Sequence, residues 1–204
     1  MLSYETIHPH TLELLKGLMA EQLFSTLRLV GGTALALQYG HRSSVDLDFF
    51  GTLDADDEDV KNVLRKHGDL LVIKESKNIK LYQLDGVKID IVNYSYPWLD
   101  APIVVDGIVL ATPRDISAMK INAIEGRGTK KDFIDIYFLL QHYSLKEILN
   151  YYQEKYPENS IFRALMSLTY FDDAEDQFMP KMFQDVSWDE IKRVVHDAVK
   201  KYTR

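Results

Sequence analysis

The stretch from Leu29 to Phe50 constrains this chain more than any other. It reads Leu-Val-Gly-Gly-Thr-Ala-Leu-Ala-Leu-Gln-Tyr-Gly-His-Arg-Ser-Ser-Val-Asp-Leu-Asp-Phe-Phe. A Gly-Gly-Thr turn heads a short helical run, and the stretch ends in a strand with two alternate aspartates. Side chains alternate along a strand, so Asp46 and Asp48 share one face while Val45, Leu47 and Phe49 share the other. The carboxylates can therefore converge on one hard cation, Mg²⁺ or Mn²⁺, an ion held by one or two carboxylates together with substrate phosphates. Gly31, Gly32 and Thr33 supply what phosphates need: close backbone approach, the free N–H groups of a helix N-terminus and a hydroxyl donor. An ordinary turn and a solvated strand end would explain either piece alone. The two in order, one helix and a loop apart, favour a phosphate cradle followed by a metal site.

Composition narrows the class. A chain of 204 residues, 46% of them hydrophobic, can bury a core in one domain or two small ones. The absence of cysteine removes disulfides, thiol nucleophiles and thiolate metal sites, and suits a reducing compartment, so a cytoplasmic location is expected. No basic-then-apolar leader opens the sequence, and no apolar run approaches the ~20 residues of a membrane helix. A net charge of −7 argues against non-specific wrapping of nucleic acid. The charge is uneven: Asp46 to Asp59 holds seven acidic residues and no basic one, whereas Arg114 to Lys131 is rich in Lys and Arg. A charge run is commonly just a solvated face.

The periodicities divide the chain at about Ala111. Pro9 to about Leu23 carries Leu12, Leu15, Leu18 and Met19 at helical spacing, with Pro9 suited to a first turn. The acidic run Asp54 to Asp59 leads into a second helix through Val60, Val63 and Leu64. Strand-like runs follow at about 70–75, 79–84 and 87–94, and Asp85-Gly86 makes the last two an antiparallel hairpin. From Thr112 onward, helix-opening patterns recur at Thr112, Thr129, Ser144 and Ser187, each with an acidic residue three positions on. The expected fold is α+β: a mixed sheet with flanking helices over residues 1–111, then a helical domain over 112–204 that completes a cleft.

Three further groups belong with the aspartates. Asp90 lies in the apolar run Lys88-Ile-Asp-Ile-Val92, where an unpaired charge would be costly to bury. It is either the third carboxylate of the cluster, holding metal or accepting a proton from an attacking hydroxyl, or it pairs with Lys88. Lys120, Ala123 and Arg127 share one helical face and form a cationic stripe. Asp132 caps the next helix at Thr129 or takes part in chemistry, and Asp135 could orient Lys120 or Arg127. His8 and His10 read as surface residues. Tyr151, Tyr152, Tyr156, Phe162 and Tyr170 could stack on bases but read as core. Serine-hydrolase elbows, phosphate-loop lysines and zinc-protease helices are absent from the sequence.

Taken in order, Gly31-Gly32-Thr33, His41 through Asp48, and Lys120 through Arg127 to Lys131-Asp-Phe-Ile-Asp-Ile136 resemble the AbiEii/AbiGii-type nucleotidyltransferases, within the superfamily typified by DNA polymerase beta. The resemblance covers roughly residues 25–140. It implies a nucleotidyltransferase fold and transfer of a nucleoside monophosphate from an NTP to an acceptor hydroxyl, with the nucleotide bound between sheet and helical domain. It also implies a toxin-like role beside an antitoxin or in phage defence. The likeness itself implies Asp46 and Asp48 for the metal, Gly32 and Thr33 for the nucleotide phosphates and Lys120 for the triphosphate, with Asp132 or Asp135 completing the site. The residue reading adds Asp90 to the metal and catalytic set with Lys120 and Asp135, and Gly31, Arg42, Arg127 and Asp132 to the nucleotide-binding one. The acceptor is tRNA or another RNA, with an aminoglycoside-like small molecule or a non-catalytic nucleotide-binding module as alternatives.

Overall fold

A computed structural model of the protein describes residues 1–204. The chain forms two compact units, one of Met1–Ser95 with Pro102–Ala111, the other of Tyr96–Ala101 with Thr112–Arg204.

The first unit contains α1 (Pro9–Ala20), β1 (Leu27–Leu29), α2 (Gly31–Tyr39), β2 (Leu47–Gly51), α3 (Asp57–Arg65), β3 (Leu70–Glu75), β4 (Ile79–Leu84), β5 (Val87–Asn93), β6 (Ile103–Val105) and β7 (Ile108–Leu110). Its seven strands form one mixed sheet in the order β3-β4-β5-β2-β1-β7-β6. β2 runs parallel to β5 and β1 parallel to β7, while the remaining neighbours are antiparallel. The expected hairpin at Asp85-Gly86 forms, and a second one turns at Asp106-Gly107. Both central residues of each turn have positive φ, as a two-residue turn of primed type requires.

One sheet face is core. Leu47 and Phe49 of β2, Ile89 and Ile91 of β5, and Tyr82 and Leu84 of β4 are all buried there, and Phe24 packs edge-on against Phe49 at 5.1 Å. Because side chains alternate, that face fixes the other, which presents Asp48 and Asp90. Strands outside the core are less covered, and Leu71 and Ile73 of the edge strand β3 are exposed. The acidic run after β2 is local: Asp56 caps α3 through the Asp59 N–H at 2.8 Å, and Asp57 pairs with Lys80.

The second unit contains α4 (Pro113–Gly126), α5 (Lys130–Leu139), α6 (Leu145–Lys155), α7 (Ile161–Leu168), the single turn α8 (Asp172–Glu175) and α9 (Trp188–Tyr202). Side-chain caps start α4 at Thr112, α6 at Ser144 and α9 at Ser187, while Thr129 and Asp132 close a reciprocal box at α5. Ile116, Ile121, Phe133, Ile136, Ile148, Leu149, Ile191 and Val195 form its core. Tyr152 and Tyr156 are buried with them, but Phe162 and Tyr170 are 71% and 53% exposed, so the core assignment fails for that pair. α7 is a two-sided helix: it buries Ala164 and Leu168 and turns Phe162 and Met166 outward. No helix in the molecule is long and apolar enough to cross a membrane.

One buried charge pair locks segment 96–101 into this unit. The Lys155 ammonium lies 2.7 Å from Asp115 Oδ1 and 2.7 Å from the Pro97 carbonyl, with the Trp98 ring 4.6 Å away. The Leu99 N–H donates to the same Asp115 oxygen at 3.0 Å. Removing one member of a buried pair leaves the other charge uncompensated, so Lys155→Met should cost about 3–5 kcal/mol in urea unfolding, and adding Asp115→Leu should recover part of that loss. A loss below ~1 kcal/mol would show that water already screens the pair.

Candidate active site

In the first unit the site begins where β1 turns into α2. Gly31 has φ +68°, a left-handed conformation that strains any residue with a Cβ. A Cβ there would also overlap the Asp48 carboxylate, and one on Gly32 would overlap the Arg42 guanidinium. Gly31 is thus required by its backbone conformation, while a side chain at Gly32 would make the Arg42 guanidinium shift. The turn is tied to β2 by the Val30 N–H, which donates to the Asp48 carbonyl at 2.9 Å.

Arg42 is buried below the turn and donates to the Ser43 carbonyl at 2.9 Å, beside the glycine backbone. Thr33 is also buried. Its hydroxyl shares a 2.8 Å hydrogen bond with Ser44 Oγ and donates to the Asp46 carbonyl. The structure therefore places Thr33 in a role that fixes the approach to β2 and with it the position of Asp46.

The parallel pairing of β2 and β5 sets Asp48 opposite Asp90. Asp46 immediately precedes β2, two residues from Asp48. Asp90 Oδ2 accepts from Lys88 Nζ at 2.6 Å, while Asp90 Oδ1 is buried with no hydrogen-bond partner. Burial works against the Lys88 ammonium, yet the Asp90 hydrogen bond and the charges of Asp90, Asp48 and Asp46 hold its pKa above the usual lysine value. Of the three carboxylates Asp90 touches that nitrogen, and Asp48 lies opposite Asp90 on the paired strand. Their oxygen chemistry and the partnerless Asp90 oxygen fit a hard divalent ion. In the arrangement seen, no three acidic side chains are gathered as a closed ligand set.

The second unit gathers the remaining sequence-expected residues. Lys120 Nζ lies 2.9 Å from Asp132 Oδ1 and 2.6 Å from Asp135 Oδ2, and all three side chains are nearly inaccessible. Asp132 also accepts from the Thr129 hydroxyl at 2.6 Å and pairs with Arg127 Nε at 3.2 Å. It is at once helix cap and lysine partner. Burial opposes its ionisation, but Lys120, Arg127 and the Thr129 hydroxyl outweigh that and bring its pKa to about 2. Asp135 orients Lys120, and Arg127 is the exposed cation of the group.

Sequence reading passed over Lys88 as a site residue, although its i, i+2 spacing to Asp90 puts both on one strand face. The Thr33–Ser44 bond gave no signal, since eleven residues separate two ordinary hydroxyls.

Comparison with known proteins settles the class. Residues 13–200 match the family described as "Nucleotidyl transferase AbiEii toxin, Type IV TA system". The chain belongs to this AbiEii family. It is therefore a nucleotidyltransferase, and a relative in Aquifex aeolicus, itself uncharacterised, is 35% identical over 182 residues, 85% of this chain and 86% of that one. Among solved structures, the nucleotidyltransferase toxin MenT4 of Mycobacterium tuberculosis superposes with a TM-score of 0.56 at 13% identity, over 94% of this chain and 82% of its own. JHP933 of Helicobacter pylori gives 0.53 at 18% identity, over 97% and 96%. At such identities the two structures report on the fold, which is shared along nearly the whole chain.

The glycine turn gives a direct test of this AbiEii site. Gly31→Ala should lower stability by about 1–2 kcal/mol, the cost of a left-handed backbone with a side chain, and should weaken Mg²⁺–NTP binding at least tenfold by displacing Asp48. Gly126→Ala, where a Cβ meets open space, should match wild type in both. Calorimetric binding and thermal melts check this, and unchanged nucleotide binding in Gly31→Ala would separate the turn from the nucleotide.

Proposed function

We propose that this AbiEii-family protein transfers a nucleoside monophosphate from an NTP to a hydroxyl of an RNA acceptor, in a metal-dependent reaction that arrests growth of the host cell unless an antitoxin opposes it. The observation that carries the reading is the register that sets Asp48 opposite Asp90, beside a turn whose Gly31 has a left-handed backbone.

The acceptor oxygen attacks the α-phosphorus and forms the new O–P bond as the bond from that phosphorus to the β-phosphate oxygen breaks, releasing pyrophosphate. Asp90 accepts the hydroxyl proton. Asp46 and Asp48 would hold a divalent ion, Mg²⁺ or Mn²⁺, which supplies charge neutralisation on the phosphates. Gly31 and Gly32 give their backbone to the phosphates, and the buried Arg42 guanidinium against Gly32 fixes that backbone in place. Lys120 and Arg127 are assigned to the triphosphate, with Asp132 and Asp135 holding the Lys120 ammonium in one orientation. Positioning and charge neutralisation carry the rate, as in phosphoryl transfer generally.

An RNA end as acceptor is supported by the exposed Arg127 and Lys131 of the segment Arg114–Lys131, whose Lys120 and Lys130 are buried, while the −7 charge of the whole chain opposes broad nucleic-acid binding and favours a local contact. Incubation with α-labelled NTPs and separate pools of cellular RNA, protein and small molecules should label RNA. Label confined to small molecules or protein would overturn the acceptor assignment. Asp48→Asn should lower transfer at least a hundredfold with an unchanged melting profile, and the Asp46→Asn/Asp48→Asn variant should fail to arrest growth at matched expression. Equal arrest by that variant and wild type would exclude this chemistry as the cause of toxicity.

A further inference from the structure

The cation that the carboxylates already possess is Lys88. Asp48 and Asp90 on neighbouring strands, and Asp46 just before β2, repel one another, and a protein resting without a divalent ion must offset that repulsion. Here the offset comes from the same strand. Lys88 and Asp90, two residues apart on β5, project from one face, and the ammonium sits 2.6 Å from Asp90 Oδ2, with Asp48 opposite Asp90 on the paired strand. Asp90 gives one oxygen to this lysine and keeps the other, buried and without a partner. That second oxygen is where a further positive group would be received.

The two side chains differ in freedom. Lys88 is 45% exposed on a flexible four-carbon stem, whereas the Asp90 side chain is 18% exposed. The lysine can leave while the carboxylate stays. An incoming nucleotide brings phosphates, which offer the displaced ammonium a new anionic partner.

Resting on the assignment of Asp46 and Asp48 to the metal and of Asp90 to the attacking hydroxyl, we propose that Lys88 is the resident counter-cation of this site: it offsets the carboxylate charge before loading and releases Asp90 when metal and nucleotide arrive together. Metal alone then competes with a tethered ammonium and binds weakly. Metal with nucleotide binds better, because the triphosphate takes over the lysine, so the two ligands favour each other through Lys88.

The test is Mn²⁺ binding to the full chain, followed by water-proton relaxation, for wild type, Lys88→Met, Lys88→Arg and Asp48→Asn, with and without a non-hydrolysable NTP analogue. Lys88→Met should bind Mn²⁺ alone at least tenfold more tightly than wild type, and the gain in Mn²⁺ affinity on adding nucleotide should shrink by a similar factor. Lys88→Arg keeps the charge and should stay within about threefold of wild type. Thermal melts confirm that each variant is folded. If Asp48→Asn loses Mn²⁺ binding while Lys88→Met binds no better than wild type, the site assignment stands and the counter-cation role is overturned. If Asp48→Asn binds Mn²⁺ as wild type does, or no variant binds it at all, the metal assignment itself is overturned and the role falls with it.

Discussion

The parallel pairing of β2 with β5 is the constraint on which the rest of the candidate site depends. It sets Asp48 opposite Asp90 and so brings like charges together on one sheet face. Nothing in the hydrophobic core asks for that juxtaposition. Leu47, Phe49, Ile89 and Ile91 would pack as well with any polar residue on the opposite face. Like charges in adjacent strands are unfavourable, and the neighbouring features are ways of containing that cost. Lys88 neutralises Asp90, the Val30 amide anchors the backbone at Asp48, and Thr33 holds the carbonyl of Asp46. Such an arrangement is what the proposed metal chemistry needs.

The helical unit solves a related problem differently. There the charges are buried as a closed set, with Lys120 between Asp132 and Asp135 and Asp132 further engaged by Thr129 and Arg127. Pairing of this kind holds an ammonium in one place and keeps it charged. The carboxylates of the sheet unit retain an unsatisfied oxygen, and those of the helical unit are saturated by hydrogen-bond donors. The first leaves an oxygen open to a cation, and the second encloses one, with Arg127 as its exposed member.

Much of this was legible in residue order because the relevant interactions are local. The Asp85-Gly86 turn, the caps at Thr112, Thr129, Ser144 and Ser187, and the common face of Asp46 and Asp48 each depend on spacings of four residues or fewer. What escaped reading depends on distance or brevity. β1, β6 and β7 have three residues each, too short for a period to register, although Asp106-Gly107 repeats the hairpin signal that was read at Asp85-Gly86. The buried Lys155 finds its Pro97 partner 58 residues away, and a lysine at a helix end reads as solvated. Phe162 and Tyr170 carry the spacing of a core stripe, yet the face that α7 buries is the one with Ala164 and Leu168. Lys88 was visible only as one possible partner of Asp90. Its place beside Asp48 as well as Asp90 emerges only from the strand register.

The most direct test of the central claim is a crystal structure of the protein with Mn²⁺ and an NTP analogue that cannot be cleaved at the α-phosphate. The expected result is an anomalous manganese peak bonded to Asp46 and Asp48 at about 2.0–2.3 Å, the analogue's phosphates over the Gly31-Gly32 backbone, and Lys88 turned away from Asp90. Manganese and nucleotide bound elsewhere, with the Lys88–Asp90 pair intact, would contradict it.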